Sequence, residues 1–426
     1  MKKKGTARLG LLLTLLLAFT VVLAACGGDT NNSKATGNNN VPADNAGKAA
    51  QPVEKVKLKV ATWAGAEELR EFEELIAKVN TSATDYEIKV QSIPADYYQK
   101  LQTMIAGKQS PDFMWLSQEY IAQYASLGAI APLDEHLSGI ENYNAEDYYQ
   151  GTVDVGTYAN KLYSLPWISQ PYMLYYNQDM FEKAGVELPT NDWTWEEFIA
   201  AGKQLTKDGD WGALLNNIPT SMYTWSYGGD VFDKEGNITL DSPESIKGLE
   251  MYQKIVNSGI TPARAQADSM GNGDMFKTGK VAMYVGGASD DFERTANFKI
   301  GMVVPPHGTE QVTFSWIGVT AMANTTANPT VATKALVDMT NAIHKWKVVA
   351  PTKSGFDEIK TSRPDKEYAV ETIRQASEIA RGFNNQPKQG EIDGAIWEKL
   401  TQAIEKGEDV NTAVQSTIKK INDITK

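Results

Sequence analysis

The 426-residue chain holds one cysteine, Cys26, and three histidines, His136, His307 and His344, far apart in sequence. A lone thiol forms neither an internal disulfide nor a zinc–thiolate cluster. His-Glu-x-x-His and Gly-x-Ser-x-Gly are both missing. Ser416-Thr417-Ile418-Lys419 has a Ser-x-x-Lys spacing, but on a predicted terminal helix it reads as a solvated face. Thr278-Gly279-Lys280-Val281 lacks the first glycine and the hydroxyl that a phosphate loop needs. Asp233 to Asn237 is too short for a calcium loop and reads as a hairpin turn. Positive charge is also scarce, with 41 Lys and Arg against 53 Asp and Glu, a formal charge of −12. Such a balance argues against nucleic acid or anionic lipid as a partner, since both need basic patches.

Basic residues do concentrate at the start. Lys2, Lys3, Lys4 and Arg8 precede an apolar run from Leu9 to Leu23, the layout of a signal peptide over residues 1–25. The run is short for a membrane helix, which wants roughly 20 apolar residues, and no longer one follows it. Leu23-Ala24-Ala25-Cys26 resembles a lipobox, in which the thiol is acylated and the peptide is cut just before it. An ordinary secretory leader with a chance cysteine is the alternative. That the one cysteine stands where a lipobox requires it favours lipidation. Loss of the leader's four basic residues takes the formal charge from −12 to −16. Residues 26–52 are then the lipidated Cys26 and a Gly-, Asn-, Ala- and Ser-rich tether with little to bury. About 26 flexible residues have a root-mean-square reach of roughly 30 Å.

The remaining length, about 370 residues, suggests two domains. Val56, Leu58 and Val60 alternate with lysines as a strand, and Leu69, Phe72, Leu75, Ile76 and Val79 fall on one helical stripe. Tyr86 to Val90 alternate again. A helix around Tyr97 to Ala106 is expected to stop at a left-handed Gly107, and one over Glu119 to Leu127 at Gly128. Phe113 to Leu116 reads as a buried strand. Alternation of this kind implies α/β architecture with helices covering a largely parallel sheet. Further along, Thr194-Trp195-Glu196-Glu197 is a capping box. Val281–Val285 and Ile300–Val304 are short buried strands, and the last 40 residues are helical.

Tyr163 to Gly185, with Asn177-Gln178-Asp179-Met180-Phe181-Glu182-Lys183-Ala184-Gly185 at its end, resembles the central motif of maltose-binding-type extracellular solute-binding proteins. The Thr194 box, Pro111 to Trp115, Phe276 to Met283, and Ile396-Trp397 are similar to that family in the same order, across essentially all of the chain after residue 53. The resemblance implies a two-lobed, type II periplasmic-binding-protein-like fold. Each lobe would be a mostly parallel sheet flanked by helices, with a hinged ligand cleft between them. Crossings near Trp167, Ile317 and Pro351 would divide it into 53–166 plus 318–350 and 167–317 plus 351–426. Strand ends are where open α/β sheets bind ligands, and hinge closure buries them.

Sugars present apolar C–H faces and rings of hydroxyls, so a receptor uses aromatic planes and polar side chains. Trp63 follows the first strand, and the resemblance places it and Glu67 at the cleft. Trp115 ends the third strand as a cleft wall or a core tryptophan. Gln118 and Glu119 follow it at positions where relatives use polar ligands. Trp167 is hinge-side, for stacking or for packing. Gln170 stands where relatives often carry an acid, which points to a neutral polyol. Tyr223 and Trp225 resemble the second-lobe wall, although Trp225 has the alternative of packing under a helix it opens. Ser289 replaces a frequent aromatic, leaving Asp290 to bind hydroxyls. Trp316 and Trp397 complete the set. Trp193, Trp195, Trp211 and Trp346 read as structural.

The resulting expectation is a monomeric lipoprotein on the extracellular face of a Gram-positive cell membrane. It touches the membrane only through its anchor, and passes a carbohydrate, an oligosaccharide by preference, to ABC importer permease subunits. No catalytic residue, metal or cofactor is expected. A secreted glycoside hydrolase using carboxylates such as Glu119 and Asp290, or a surface adhesin, are the rival readings.

Overall fold

A computed structural model of the protein describes residues 54–426 apart from 216, 217, 347 and 348. The expected signal peptide, the Cys26 anchor and the tether lie outside the described residues.

Eleven strands appear among the described residues. They are β1 Val56–Thr62, β2 Tyr86–Ser92, β3 Phe113–Ser117, β4 Thr157–Tyr158, β5 Lys161–Leu162, β6 Ser164–Asn177, β7 Trp211–Leu214, β8 Val281–Gly287, β9 Ile300–Val303, β10 Thr313–Met322 and β11 Ala380–Arg381. The main sheet runs β2-β1-β3-β10-β6-β8-β7, with β9 on β6 and β11 on β10. β1 is parallel to β2 and β3, and β7 is parallel to β8. Two long strands, β6 and β10, run antiparallel to each other and to their neighbours β3 and β8. They tie two separately packed halves into one sheet.

One half packs Leu58, Val60, Phe72, Ile76, Trp115 and Leu165 against the helix Pro329–His344. The other packs Phe181, Trp195, Phe198, Tyr223, Leu400 and Ile421. Its helix Trp195–Leu205 opens with the capping box read from the sequence: the Thr194 hydroxyl accepts from the Glu197 N–H, and Glu197 accepts from the Thr194 N–H. Between the halves three segments lie side by side. Ile168 pairs with Gly318, and Ser169 N–H donates to Val349 O at 3.2 Å.

Two local expectations are corrected. Gly107 does not take the left-handed conformation; its φ is −77°. Lys108 takes φ 55° instead, with its N–H bonded to Ile105 O and the Gln109 N–H to Met104 O. The reversal is a Schellman turn placed one residue later than the glycine. Trp225 closes rather than opens a helix, Thr220–Trp225.

Candidate functional site

Trp63 leaves the end of β1 and meets four rings: Tyr97 and Trp115 at 5.4 Å each, Trp167 at 6.1 Å and Trp316 at 6.5 Å. Its partners differ in exposure. Trp115 and Trp167 stack at 4.3 Å and are buried. In this conformation they form the floor beneath Trp63 rather than a surface for a ligand. Trp63 and Trp316 stay partly exposed. The Trp316 Nε1 donates to Ser117 Oγ at 2.9 Å, and Ser117 in turn bonds Glu119. A chain of side chains thus fixes the ends of β3 and β10 together.

Directly opposite Trp316 in the β6–β10 register is Gln170. A Cβ on Gly287 would lie 2.7 Å from Gln170 Oε1 and 3.6 Å from Asp290 Oδ1, so the two polar side chains converge over bare backbone. Burial pushes the Asp290 carboxyl up to about 6, against the pull of the Lys366 ammonium and of the Gly287 backbone. Trp63, Trp316, Gln170 and Asp290 therefore form one row from the first half into the second.

The row continues through Tyr172, edge-on to Phe314 at 5.0 Å, and through Phe314, 6.5 Å from Trp225. Trp225 is buried, with Phe383 at 5.7 Å and the Arg381 guanidinium 4.5 Å over its ring. Tyr223 is wholly buried between Trp195 and Tyr252, which makes it core. Trp397, by contrast, is 41% exposed. Arg264 lies 4.6 Å over its ring and is itself paired with Glu405. Trp397 lines a cavity of about 260 Å³ with Asp230, Phe232, Phe383, Asn384 and Asp393.

Gln118 and Glu119 stand where the halves meet. Gln118 is buried, its amide donates to Ser315 O at 3.1 Å, and its backbone carbonyl accepts from Asn385 Nδ2 at 2.9 Å. Burial raises the Asp393 carboxyl to about 6, and the Glu119 charge facing it adds to the rise. Glu67 is exposed in the first turn of its helix, 3.7 Å from Arg70 on that same helix, and its ionic partner is not a residue of the second half.

Asp230, Arg381, Phe383, Asn384 and Asp393 were missed by the sequence reading. Asp230 pairs with Arg381 and accepts from Asn384 Nδ2 at 3.2 Å, and Asn384 also donates to Phe232 O at 2.8 Å. The signal was the run Arg381-Gly382-Phe383-Asn384-Asn385, an aromatic among amides before a late helix. Of the four tryptophans read as structural, Trp195 is buried with Nε1 on Ser226 Oγ, and Trp346 stacks on Phe72. Trp193 packs against Phe181, and Trp211 starts β7.

A larger groove, about 1230 Å³, lies between Glu71, Lys78, Asn142, Asp338 and Trp346. None of the candidates above lines it, and its one tryptophan has its Nε1 bonded to Glu71 at 2.9 Å. We assign it no ligand. Among the described residues no three of His, Cys, Asp and Glu converge as a metal site, and no helix is long and apolar enough to cross a membrane.

The profile of the bacterial extracellular solute-binding proteins matches residues 64–340. A putative binding protein of Brucella abortus is 25% identical over 251 residues, 56% of this chain and 60% of the relative. An arabinooligosaccharide-binding protein of Halalkalibacterium halodurans is 24% identical over 43% of this chain and 42% of its own. The matched stretch thus spans about 60% or less of these curated relatives. Over a longer stretch the fold is similar to an ABC substrate-binding protein of Listeria monocytogenes solved with cycloalternan. There the TM-score is 0.73 at 22% identity, covering 87% of this chain and 98% of that one.

Proposed function

The chain belongs to the bacterial extracellular solute-binding proteins, and from that premise we propose that it captures a carbohydrate between two lobes and delivers it to an ABC importer. The observation that carries the sugar reading is the row of partly exposed aromatic faces alternating with hydroxyl acceptors: Trp63, Trp316, Gln170, Asp290, then Trp397 with Asp230 and Asp393. Aromatic faces take C–H surfaces, and carboxylates and amides take hydroxyl pairs. The relatives named for arabino-oligosaccharides and the structure with cycloalternan support an oligosaccharide. The cavity under Trp397, about 260 Å³, is smaller than the roughly 300–1,000 Å³ of drug-sized sites. It suits one sugar ring, with the rest of the chain lying along the row.

On this reading the lobes are 53–166 plus 318–350 and 167–317 plus 351–426. The leader is removed, Cys26 is acylated, and the monomer works outside the cell. The protein is a binder and not a hydrolase. Glu119 and Asp290 would then serve as acceptors rather than as acid and nucleophile. A thermal-denaturation screen over mono- and oligosaccharides tests this. A ligand present at 100 times its Kd should stabilise by about 2.7 kcal/mol, with the sugar recovered intact. Recovery of cleaved sugar would favour a hydrolase, and no shift with any sugar would remove the reading.

A further inference from the structure

The Asp290 loop is held from behind by cations. After β8 ends at Gly287, the loop 288–291 leads into the short helix Phe292–Thr295. Three carbonyls, one at the end of β8 and two in the loop, are gripped by side chains. Gly287 O accepts from the Tyr175 hydroxyl at 2.8 Å, Ser289 O from Arg363 Nη1 at 3.1 Å, and Asp290 O from Arg363 Nη2 at 3.4 Å. Arg363 is only 4% exposed and also holds Asp365 at 2.8 Å and Asp291 at 3.1 Å. Lys366 is fully buried; its ammonium donates to Glu293 Oε2 at 2.8 Å and to the Tyr175 hydroxyl at 3.3 Å. One relay, Glu293–Lys366–Tyr175–Gly287, therefore ends on the backbone that Asp290 overhangs.

Two buried cations are a costly way to hold a loop. Replacing buried ion pairs by well-packed apolar side chains is often neutral or stabilising, so packing alone does not account for them. Their relation to Asp290 does. Its carboxylate sits over Gly286 and Gly287, where a Cβ would meet it, and it is surrounded by groups of both signs. Lys366 favours its charge, whereas Asp291 and Glu293 oppose it. Tyr175 and Tyr284 face it as neutral phenols, each held above the usual range by burial and by Asp290 itself. A charged carboxylate accepts hydroxyl hydrogens about twice as strongly as a neutral acceptor does.

We propose that Arg363 and Lys366 are positioning residues of the cleft: Arg363 directs the 288–291 loop, and Lys366 supplies the counter-charge that keeps Asp290 a charged acceptor for sugar hydroxyls. The inference rests on the carbohydrate reading above. The Lys366 charge, placed behind the loop by its bonds to Glu293 and Tyr175, pulls the Asp290 carboxyl down, so Lys366→Met should raise the Asp290 titration midpoint.

The test combines two readouts on wild type, Lys366→Met and Lys366→Arg. Carboxyl carbon NMR, assigned with Asp290→Asn, follows the midpoint without any sugar. Calorimetric titration with maltotriose and with arabinotriose from pH 5 to 8 follows affinity. Both midpoints should rise together in Lys366→Met and return in Lys366→Arg. If Lys366→Met does not fold, Glu293→Gln serves in its place. It removes a repelling charge and should lower both midpoints. An unmoved Asp290 midpoint, or an affinity loss of the same factor at every pH, overturns the proposal. If the NMR midpoint moves but neither sugar binds wild type, the sugar reading fails and the charge relay stands as a property of some other ligand site.

Discussion

His344 shows how one buried residue carries a pH dependence. It is buried, and its Nε2 lies 3.0 Å from Pro166 O. A carbonyl only accepts, so the ring must carry its proton on Nε2. Burial holds the imidazole down at about 4 from an ordinary 6.5. Above pH 6.5 neither folded nor unfolded chain is protonated there, and the group has no effect. Between 6.5 and 4 the unfolded chain takes up a proton that the folded one refuses. Stability should therefore fall through that window and level off below it, by about 3 kcal/mol in all. Urea denaturation of wild type and of His344→Gln, whose amide can still donate to Pro166 O, checks this. The difference between the two proteins should shrink steadily from pH 7 to pH 4. A constant difference would mean that His344 does not titrate in this range.

Among the elements, glycine at position 248 reverses a rule of sequence reading. It lies within the helix Pro243–Val256, where alanine is ordinarily better by about 1 kcal/mol. Here a Cβ would stand 2.4 Å from Tyr223 O and 2.6 Å from Thr224 Cα, both backbone atoms of the neighbouring helix. Gly248→Ala should thus destabilise, by roughly 1–3 kcal/mol as for other overpacked contacts. A lower urea midpoint at unchanged slope is the expected result; a higher one would show that the helices separate freely. What was legible in the sequence followed the same division. The Thr194 box, the Gly128 stop and the strand at Val56–Thr62 depend on neighbours in the chain, so their residues announced them. The stop expected at Gly107 falls one residue later, on Lys108, a left-handed lysine that no glycine or asparagine announces. The wall formed by Asp230 and Arg381–Asn384 was not legible. Its members are about 150 residues apart, and they meet only because β11 adds to β10.

For the molecule as a whole, the candidate row crosses from one half to the other, so its fate depends on whether the halves move. Trp63 and Trp115 belong to the first core, and Trp225 and Trp397 lie on the second. Across the mouth Asn385 donates to the Gln118 carbonyl. Across the same gap Glu119 and Asp393 face each other with like charge. A sugar that reaches both walls adds contacts in the closed state that the open one lacks, and so shifts the population toward closure. Small-angle scattering should show a smaller radius of gyration when a confirmed sugar is added. Trp63→Ala and Trp397→Ala, one from each end of the row, should each weaken binding by on the order of 1 kcal/mol beyond the lost area. Against the about 8 kcal/mol of a micromolar receptor, the pair together would cut affinity more than tenfold. Neutralising the gap with Asp393→Asn should make the unliganded protein more compact and reduce the further change on adding sugar, because the repulsion that favours opening is gone. An unchanged radius of gyration with sugar, alongside full affinity in the double alanine variant, would place the ligand outside this row.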